Sequence, residues 1–290
     1  MKEKSFAVIG GDLRSIMLAD LLVSKGYTVE IIGFSNLEYE TLLTENPNMQ
    51  AVIEKADIII GPMPCSNDNE SLNTPFHSER IWVNDVFKLM NNNQLFLAGH
   101  ISDKIIHLSQ VYDIHTIDYL KREELAVLNA VPTAEGAIQI AFEELSITLN
   151  SSNVLVLGFG RIGRLLAHML HGIGAEVTVS ARKHCDLAWI KSSGFKSIHT
   201  NKIDACLASM DVIFNTIPHI ILDKRRLLQV RKDTLLIDLA SKPGGIDIDA
   251  AKNIGLKTIW ALSLPGKVAP LSAAQAILET ITNILDEMEV

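Results

Sequence analysis

The chain has 290 residues and a formal net charge of −8, with 48% hydrophobic and 21% charged residues. That length can bury one or two cores. The composition excludes a disordered chain, and the acidic balance without a Lys/Arg stripe excludes duplex nucleic acid as a partner. Cys65, Cys185 and Cys206 are sparse and widely spaced. They exclude a disulfide scaffold and a cysteine zinc site, and they point to a reducing cytoplasm. No apolar stretch approaches the length that spans a bilayer, so no membrane is expected.

The first apolar run, Ser5 to Ile9, meets Gly10 and Gly11 at once and reads as a strand, not a signal peptide. Ile16 to Lys25 is helical, with Gly26 as its stop, and Tyr27 to Gly33 is the next strand. Ala56 to Ile60 is a strand ended by Gly61-Pro62, and the Asn-, Ser- and Pro-rich stretch up to Arg80 is loop. Trp82 to Met90 is a short helix and Gln94 to Ala98 a strand closed by Gly99. Val111 to Ile114 is a further strand or a loop. Pro132 to Leu149 is helical, with Ala137, Ile140, Ala141 and Leu145 at helical spacing.

Asn153 to Leu157 is an apolar strand that runs into Gly158-Phe159-Gly160-Arg161-Ile162-Gly163, followed by a helix to His171 and a strand from Ala175 to Val179. A lone G-x-G-x-x-G is a weak signal, but here the strand, turn, helix and strand that it requires all surround it. Gly158 permits the tight turn, Gly160 lets a pyrophosphate approach the backbone, and Gly163 lets helix and strand pack closely. The N–H groups at the helix start face the phosphates. A ribose-binding acid is expected about 20 residues after the fingerprint begins. The strand instead ends in Val179-Ser180-Ala181-Arg182-Lys183. Ser180, Arg182 and Lys183 suit a 2′-phosphate, so NADP is expected. NAD is the alternative if Asp186 folds back onto the ribose.

Asp211 to Asn215, Thr234 to Leu239 and Thr258 to Ala261 are further strands. Their following segments, Asn215 to His219, Ala240 to Gly245 and Leu264 to Pro270, read as loops at the carboxyl edge, where α/β sheets bind ligands. Asn215 and Thr216 join the expected cofactor set. Ser272 to Glu287 is helical. The predicted fold is α/β, with two Rossmann-like parallel-sheet domains flanking a cleft. The domains are 1–130 and 131–290, with helix 272–287 packing back on the first. Gly10-Gly11-Asp12-Leu13-Arg14 lacks the third glycine of a fingerprint. It reads either as a strand-end loop offering Asp12 and Arg14 or as a helix cap.

Several motifs together resemble the A subunit of bacterial dipicolinate synthase across essentially the whole chain. They are Ile9-Gly10-Gly11-Asp12-x-Arg14, Pro132 to Ile138, Asn215-Thr216-Ile217-Pro218, Asp238 to Gly245 and Leu264 to Pro270. The general plan is similar to that of 2-hydroxyacid and alanine dehydrogenases. One departure is Ser272-Ala273-Ala274, where relatives are expected to carry Thr-Ala-Gly. The resemblance implies a dehydrogenase subunit that forms dipicolinate during endospore formation in the mother-cell cytoplasm. It also implies a partner, the B subunit, similar to flavoproteins of the flavin prenyltransferase type. The substrate implied is a small dicarboxylate derived from the condensation product of pyruvate and aspartate semialdehyde.

Arg14, Lys242 and Lys267 are the candidate carboxylate binders for such a dianion, against a reading of Lys242 and Lys267 as plain surface charge. Among the nine histidines, His219 and His100 follow strands and are candidate acid–base groups. Glu135 is a third candidate, or a helix cap. His168 and His171 read as packing or surface residues, and no spacing suits a metal. The competing functions are a 2-hydroxyacid or amino-acid dehydrogenase, which would need an Arg and a His–acid pair, and a non-catalytic subunit that senses cofactor. A homo-oligomer is compatible with the sequence.

Overall fold

The computed structural model describes residues 4–289, which divide into two compact units, 4–129 with 269–289, and Ala130–Val268. The first unit runs β1 (Ser5–Ile9), α1 (Leu13–Ser24), β2 (Thr28–Ile32), α2 (Met49–Lys55), β3 (Ile58–Ile60), α3 (Val83–Leu89), β4 (Leu95–Ala98), α4 (Asp103–Val111), β5 (His115–Asp118) and α5 (Glu123–Leu128). Its five strands are parallel in the order β2-β1-β3-β4-β5. This is the flavodoxin-like doubly wound order. Both faces are covered, so the central strands are apolar throughout. Ile58 and Ile60 enter one core and Ile59 the other.

Two helices here carry weak sequence signals. α2 buries only Val52 and Ile53, and α4 buries only Ile105 and Ser109. The ambiguous stretch Val111 to Ile114 proves to be the end of α4 and the turn after it, and the strand begins at His115. Ser102 caps α4, its hydroxyl accepting from the Ile105 N–H at 3.4 Å.

The second unit runs α6 (Ala130–Glu144), β6 (Asn153–Leu157), α7 (Arg161–Ile173), β7 (Glu176–Ala181), α8 (His184–Ser192), β8 (Lys196–His199), β9 (Val212–Asn215), α9 (Lys224–Leu227), β10 (Leu235–Asp238), α10 (Ile248–Ile254), β11 (Thr258–Trp260) and α11 (Leu264–Val268). Its six parallel strands lie in the order β11-β10-β9-β6-β7-β8, the Rossmann arrangement with its switch point between β6 and β9. α6 begins at Ala130, earlier than the sequence suggested, and stops at Glu144. Pro132 falls in its first turn, where a missing N–H removes no helical bond. Gly136 is an interior residue of this helix. A Cβ there would sit 3.1 Å from Val268 and 3.3 Å from Leu264, so its bare backbone lets α11 pack closely.

The chain then returns to the first unit as α12 (Pro270–Glu287). Ala274, Ile277, Leu278, Ile281, Ile284 and Leu285 recur every three or four residues on its buried face and join Leu18 and Leu22 of α1 in one core. Arg122 holds the far end of α12 through two bonds to Glu287, at 2.7 and 2.5 Å.

Contrary to the sequence expectation, Glu123–Glu144 is long and apolar enough to pass for a membrane span. It is two helices, α5 and α6, and 44% of its apolar window is buried within the protein. Because α12 completes the core of the first unit, Ile281→Ala should lower unfolding stability by about 2–5 kcal/mol. Urea denaturation followed by circular dichroism measures this, and a loss under about 0.5 kcal/mol would contradict the packing role.

Candidate functional site

The turn after β6 is shaped by what its glycines lack. Gly158 has φ +103, and a Cβ there would strike the Thr216 hydroxyl. Its N–H donates to the Ser180 carbonyl at 3.1 Å, tying the turn to β7. A Cβ on Gly163 would run into the Gly158 carbonyl, so only glycine lets α7 start this close to β6. Gly160 is different: its φ is −83 and no atom lies within 4 Å of where a Cβ would stand. No side chain caps α7, so its N-terminal end presents backbone donors and the positive end of its dipole.

A cavity of about 250 Å³ opens on this turn. Gly158, Phe159 and Gly160 form one wall, Thr216, Ile217 and Pro218 after β9 another, and Ala181, Arg182 and Lys183 at the tip of β7 a third. Asp186 of α8 and Thr200 after β8 close it. Thr216 is held by its hydroxyl, which donates to the Leu157 carbonyl at 2.8 Å. Phe159 lies under the Arg164 guanidinium, 4.9 Å from its ring centre. Arg164 also stands 3.9 Å from Asp186. Arg161 opens α7 as an exposed residue, and Ile162 packs against the core.

The structure corrects two of the expected cofactor contacts. Val177, Val179 and Ala181 of β7 share one core, so strand alternation sends Ser180 to the opposite face. Its hydroxyl is fully buried and does not line the cavity. Asn215 is also fully buried, and its amide is spent within the protein. It donates to Asp238 at 2.7 Å and to the Ile217 carbonyl at 3.0 Å, and it accepts from the Ile217 N–H at 3.2 Å. Asn215 therefore positions the wall that Thr216 to Pro218 form. Sequence reading missed Thr200 altogether, and it weighed Asp186 only as a reason for doubt.

Asp238 is the counterpart of Asn215 in the next strand and fully buried. Its carboxylate accepts from Asn215 and from the N–H groups of Ala240, Gly245 and Ile246 at 3.0, 2.7 and 3.1 Å. These bonds fold the segment after β10 into a fixed loop, with Lys242 exposed at its outer turn. His219 is exposed just beyond Pro218 and, among the described residues, has no carboxylate partner. Lys267 is exposed on the single-turn helix α11, not on a loop. Glu135 is neither a cap nor part of the cavity. It lies on the outer side of α6, in a separate hollow with Ile138, Phe142, Met169 and Ile173.

In the first unit, Asp12 is indeed the cap of α1, accepting from the Arg14 N–H at 3.0 Å. Arg14 is buried, its guanidinium donating to Asp12 at 2.7, 2.9 and 3.1 Å and to the Met63 carbonyl at 2.8 Å. Its charge is already matched, which leaves less of it for a ligand. His100 is exposed, with φ +57, an unusual backbone for a side chain of its size. Asp118 holds that backbone by accepting from the His100 and Ile101 N–H groups at 2.9 and 3.0 Å. Burial first, then Asp118, push the Cys65 thiol up to about 12, so it carries no nucleophilic chemistry. Among the described residues, no cluster of three or more His, Cys, Asp or Glu is placed to hold a metal.

The contrast between two glycines gives a test of the turn. Gly160→Val should leave the fold and its melting temperature unchanged while abolishing dinucleotide binding, whereas Gly163→Val should destabilise the chain itself. Calorimetric titration and thermal melts separate the two, and undiminished binding by Gly160→Val would refute the assigned phosphate site.

A family model for the N-terminal domain of the dipicolinate synthase A subunit matches residues 5–120. A second, "D-isomer specific 2-hydroxyacid dehydrogenase, NAD binding domain", matches residues 131–247. The chain is 30% identical to the dipicolinate synthase A subunit of Bacillus subtilis over 98% of its own length and 96% of the relative's. The crystal structure of the dipicolinate synthase A subunit from Bacillus halodurans is 29% identical, with a TM-score of 0.89 over 98% of both chains. A transhydrogenase from Sinorhizobium meliloti shares the fold at 16% identity and a TM-score of 0.70, covering 97% of this chain and 94% of its own. From its glycine turn to its full-length likeness, the chain belongs to the family of dipicolinate synthase A subunits and is an NAD(P)-dependent oxidoreductase.

Proposed function

We propose that this chain oxidises dihydrodipicolinate, or its hydrated precursor, to dipicolinate with NADP as hydride acceptor. The reading places it in the cytoplasm of a sporulating cell, beside the flavoprotein-like B subunit. The observation that carries it is a dinucleotide cavity with two cations at the β7 tip, in a chain whose full length matches the family of dipicolinate synthase A subunits.

The chemistry asks little of the protein. Removing a hydride and a proton from a dihydropyridine gives an aromatic ring, so the step is strongly downhill. The nicotinamide supplies the hydride acceptor. The residues of the chain hold the reactants in place and receive a proton. Lys242 and Lys267, exposed cations on a loop and a one-turn helix, are assigned to the two substrate carboxylates. Arg14, in the first unit, already has its guanidinium bonded to Asp12 and the Met63 carbonyl. His219, beside the cavity wall at Pro218, is assigned the proton, with His100 as the other candidate. The position of Glu135 in a separate hollow, away from the cavity, argues against that role. Among the described residues His219 has no carboxylate partner, which weighs against a 2-hydroxyacid dehydrogenase mechanism that relies on such a pair.

The cofactor assignment rests on Arg182 and Lys183, with no carboxylate at the strand end itself. Asp186 does line the cavity, but it lies in the first turn of α8 and faces Arg164. One charge-assisted contact to a 2′-phosphate corresponds to roughly a ten- to hundredfold preference. Arg182→Ala should erase most of it. Equal affinities for the two cofactors in the wild type would overturn the assignment.

The reaction is tested by following dipicolinate absorbance in a mixture of this chain, the B subunit, the pyruvate–semialdehyde condensation product and NADP, each omitted in turn. Product should require both this chain and NADP. Formation at the same rate without this chain would refute the reading. In that assay Lys242→Met and Lys267→Met should raise the substrate KM at least about tenfold without altering cofactor affinity. Wild-type saturation curves for both would remove the lysines from the site.

A further inference from the structure

Among the described residues that line the cavity, Asp186 is the one acid, and it stands with Arg182 and Lys183 near the tip of β7. A carboxylate in this place suits ribose hydroxyls and repels a 2′-phosphate. Asp186 has a reason to be there that owes nothing to a ligand. It lies in the first turn of α8, which no side chain caps, and an acid there meets the positive end of the helix dipole.

Arg164 answers that charge. Its guanidinium comes within 3.9 Å of the Asp186 carboxylate. At this separation the two act on each other through charge and not through a hydrogen bond. Arg164 is set in place from a second side. Its Nε donates to the Phe159 carbonyl at 3.1 Å, and its guanidinium lies over the Phe159 ring, 4.9 Å from the ring centre. Phe159 belongs to the glycine turn, so the guanidinium has a fixed place relative to the phosphate-binding end of α7.

The topology brings the pair together. α7 follows β6 and α8 follows β7, and these strands are neighbours in the sheet. Both helices start at its carboxyl edge, with Arg164 in the first turn of α7 and Asp186 in the first turn of α8. Arg164 does not line the cavity itself. Its charge reaches a ligand there through Asp186. Three cations and one anion leave a net two positive charges around the β7 tip, which matches a phosphate close to a dianion. Without Arg164 the balance falls to one.

We propose that Arg164 is a specificity-determining residue that acts through Asp186. Its charge draws the carboxylate away from the ribose and offsets its repulsion of a 2′-phosphate. This rests on the reading of the cavity as an NADP site. Arg164 is a positioning residue, and Arg182 and Lys183 meet the phosphate. Once the charge of Arg164 is removed, Asp186 turns to the ribose hydroxyls and the same cavity leans toward NADH.

The test is binding of NADPH, NADH, 2′,5′-ADP and 5′-AMP by calorimetry, with a thermal melt of each protein to verify its fold. The proteins are the wild type, Arg164→Gln, Arg164→Lys, Asp186→Asn and the double variant Arg164→Gln/Asp186→Asn. Glutamine keeps a donor for the Phe159 carbonyl and removes the charge. Arg164→Gln should weaken NADPH about fivefold and tighten NADH about twofold, with 2′,5′-ADP and 5′-AMP following their parent cofactors. Arg164→Lys should keep the wild-type ratio within about twofold. In the Asp186→Asn background, Arg164→Gln should change the ratio by less than about twofold, because the group it acts through is gone. The same loss of NADPH in both backgrounds would overturn the proposal, since Arg164 would then meet the phosphate directly. Equal weakening of both cofactors would overturn it as well, since Arg164 would then serve the turn. So would an unchanged ratio in Arg164→Gln, given a wild type that prefers NADPH. A wild type that binds NADH as well as NADPH and does not distinguish 2′,5′-ADP from 5′-AMP would overturn the cofactor reading with it.

Discussion

The site in Ala130–Val268 depends on one close approach, that of Gly163 at the start of α7 to the carbonyl of Gly158 at the end of β6. A single methyl group between them would push the helix away from the sheet. The approach sets the direction of the first N–H groups of α7 and leaves the space over Gly160 open. It also brings Thr216 against the turn, so that the wall after β9 and the turn after β6 share one hydrogen-bonded edge. The cavity is what remains between these fixed pieces.

Charges in the two units are arranged in two manners. Asp238 is a buried anion whose oxygens are fully engaged by N–H donors from three neighbouring backbone positions and Asn215. Each such bond to a charged acceptor is worth about 1.5–3 kcal/mol net, and together they give the segment carrying Lys242 one shape. Arg14 in the first unit is handled similarly, its guanidinium closed on Asp12 and Met63. Arg182, Lys183, Lys242 and Lys267 are instead exposed. Their charged groups are open to solvent. The distinction between committed and available charge does more to sort the candidate residues than their positions in loops do.

Much of this was legible in the sequence because the signals are local. The glycine fingerprint requires only its own strand and helix, and the absence of an acid at the β7 tip can be read directly. The alternation of Val177, Val179 and Ala181 also held the orientation of Ser180, although the hydroxyl's chemistry drew more notice than its phase. Other features depend on pairing across the sheet. Asn215 looked like a ligand until its neighbour Asp238 in β10 came into register with it. Thr200 follows β8, an edge strand of sequence Lys-Ser-Ile-His with no apolar run to reveal it. α11 is too short for periodicity to show, and the contact that explains Gly136 joins it to Val268, far along the chain.

The central claim is that the tip of β7 selects a phosphorylated dinucleotide. A crystal structure of the chain with NADPH bound tests it most directly. The account predicts 2′-phosphate oxygens within about 3 Å of the Arg182 guanidinium, a charge-assisted bond length, with the Asp186 carboxylate turned toward Arg164. A ribose whose 2′ position points to bulk water, or whose hydroxyl is held by Asp186, would contradict it.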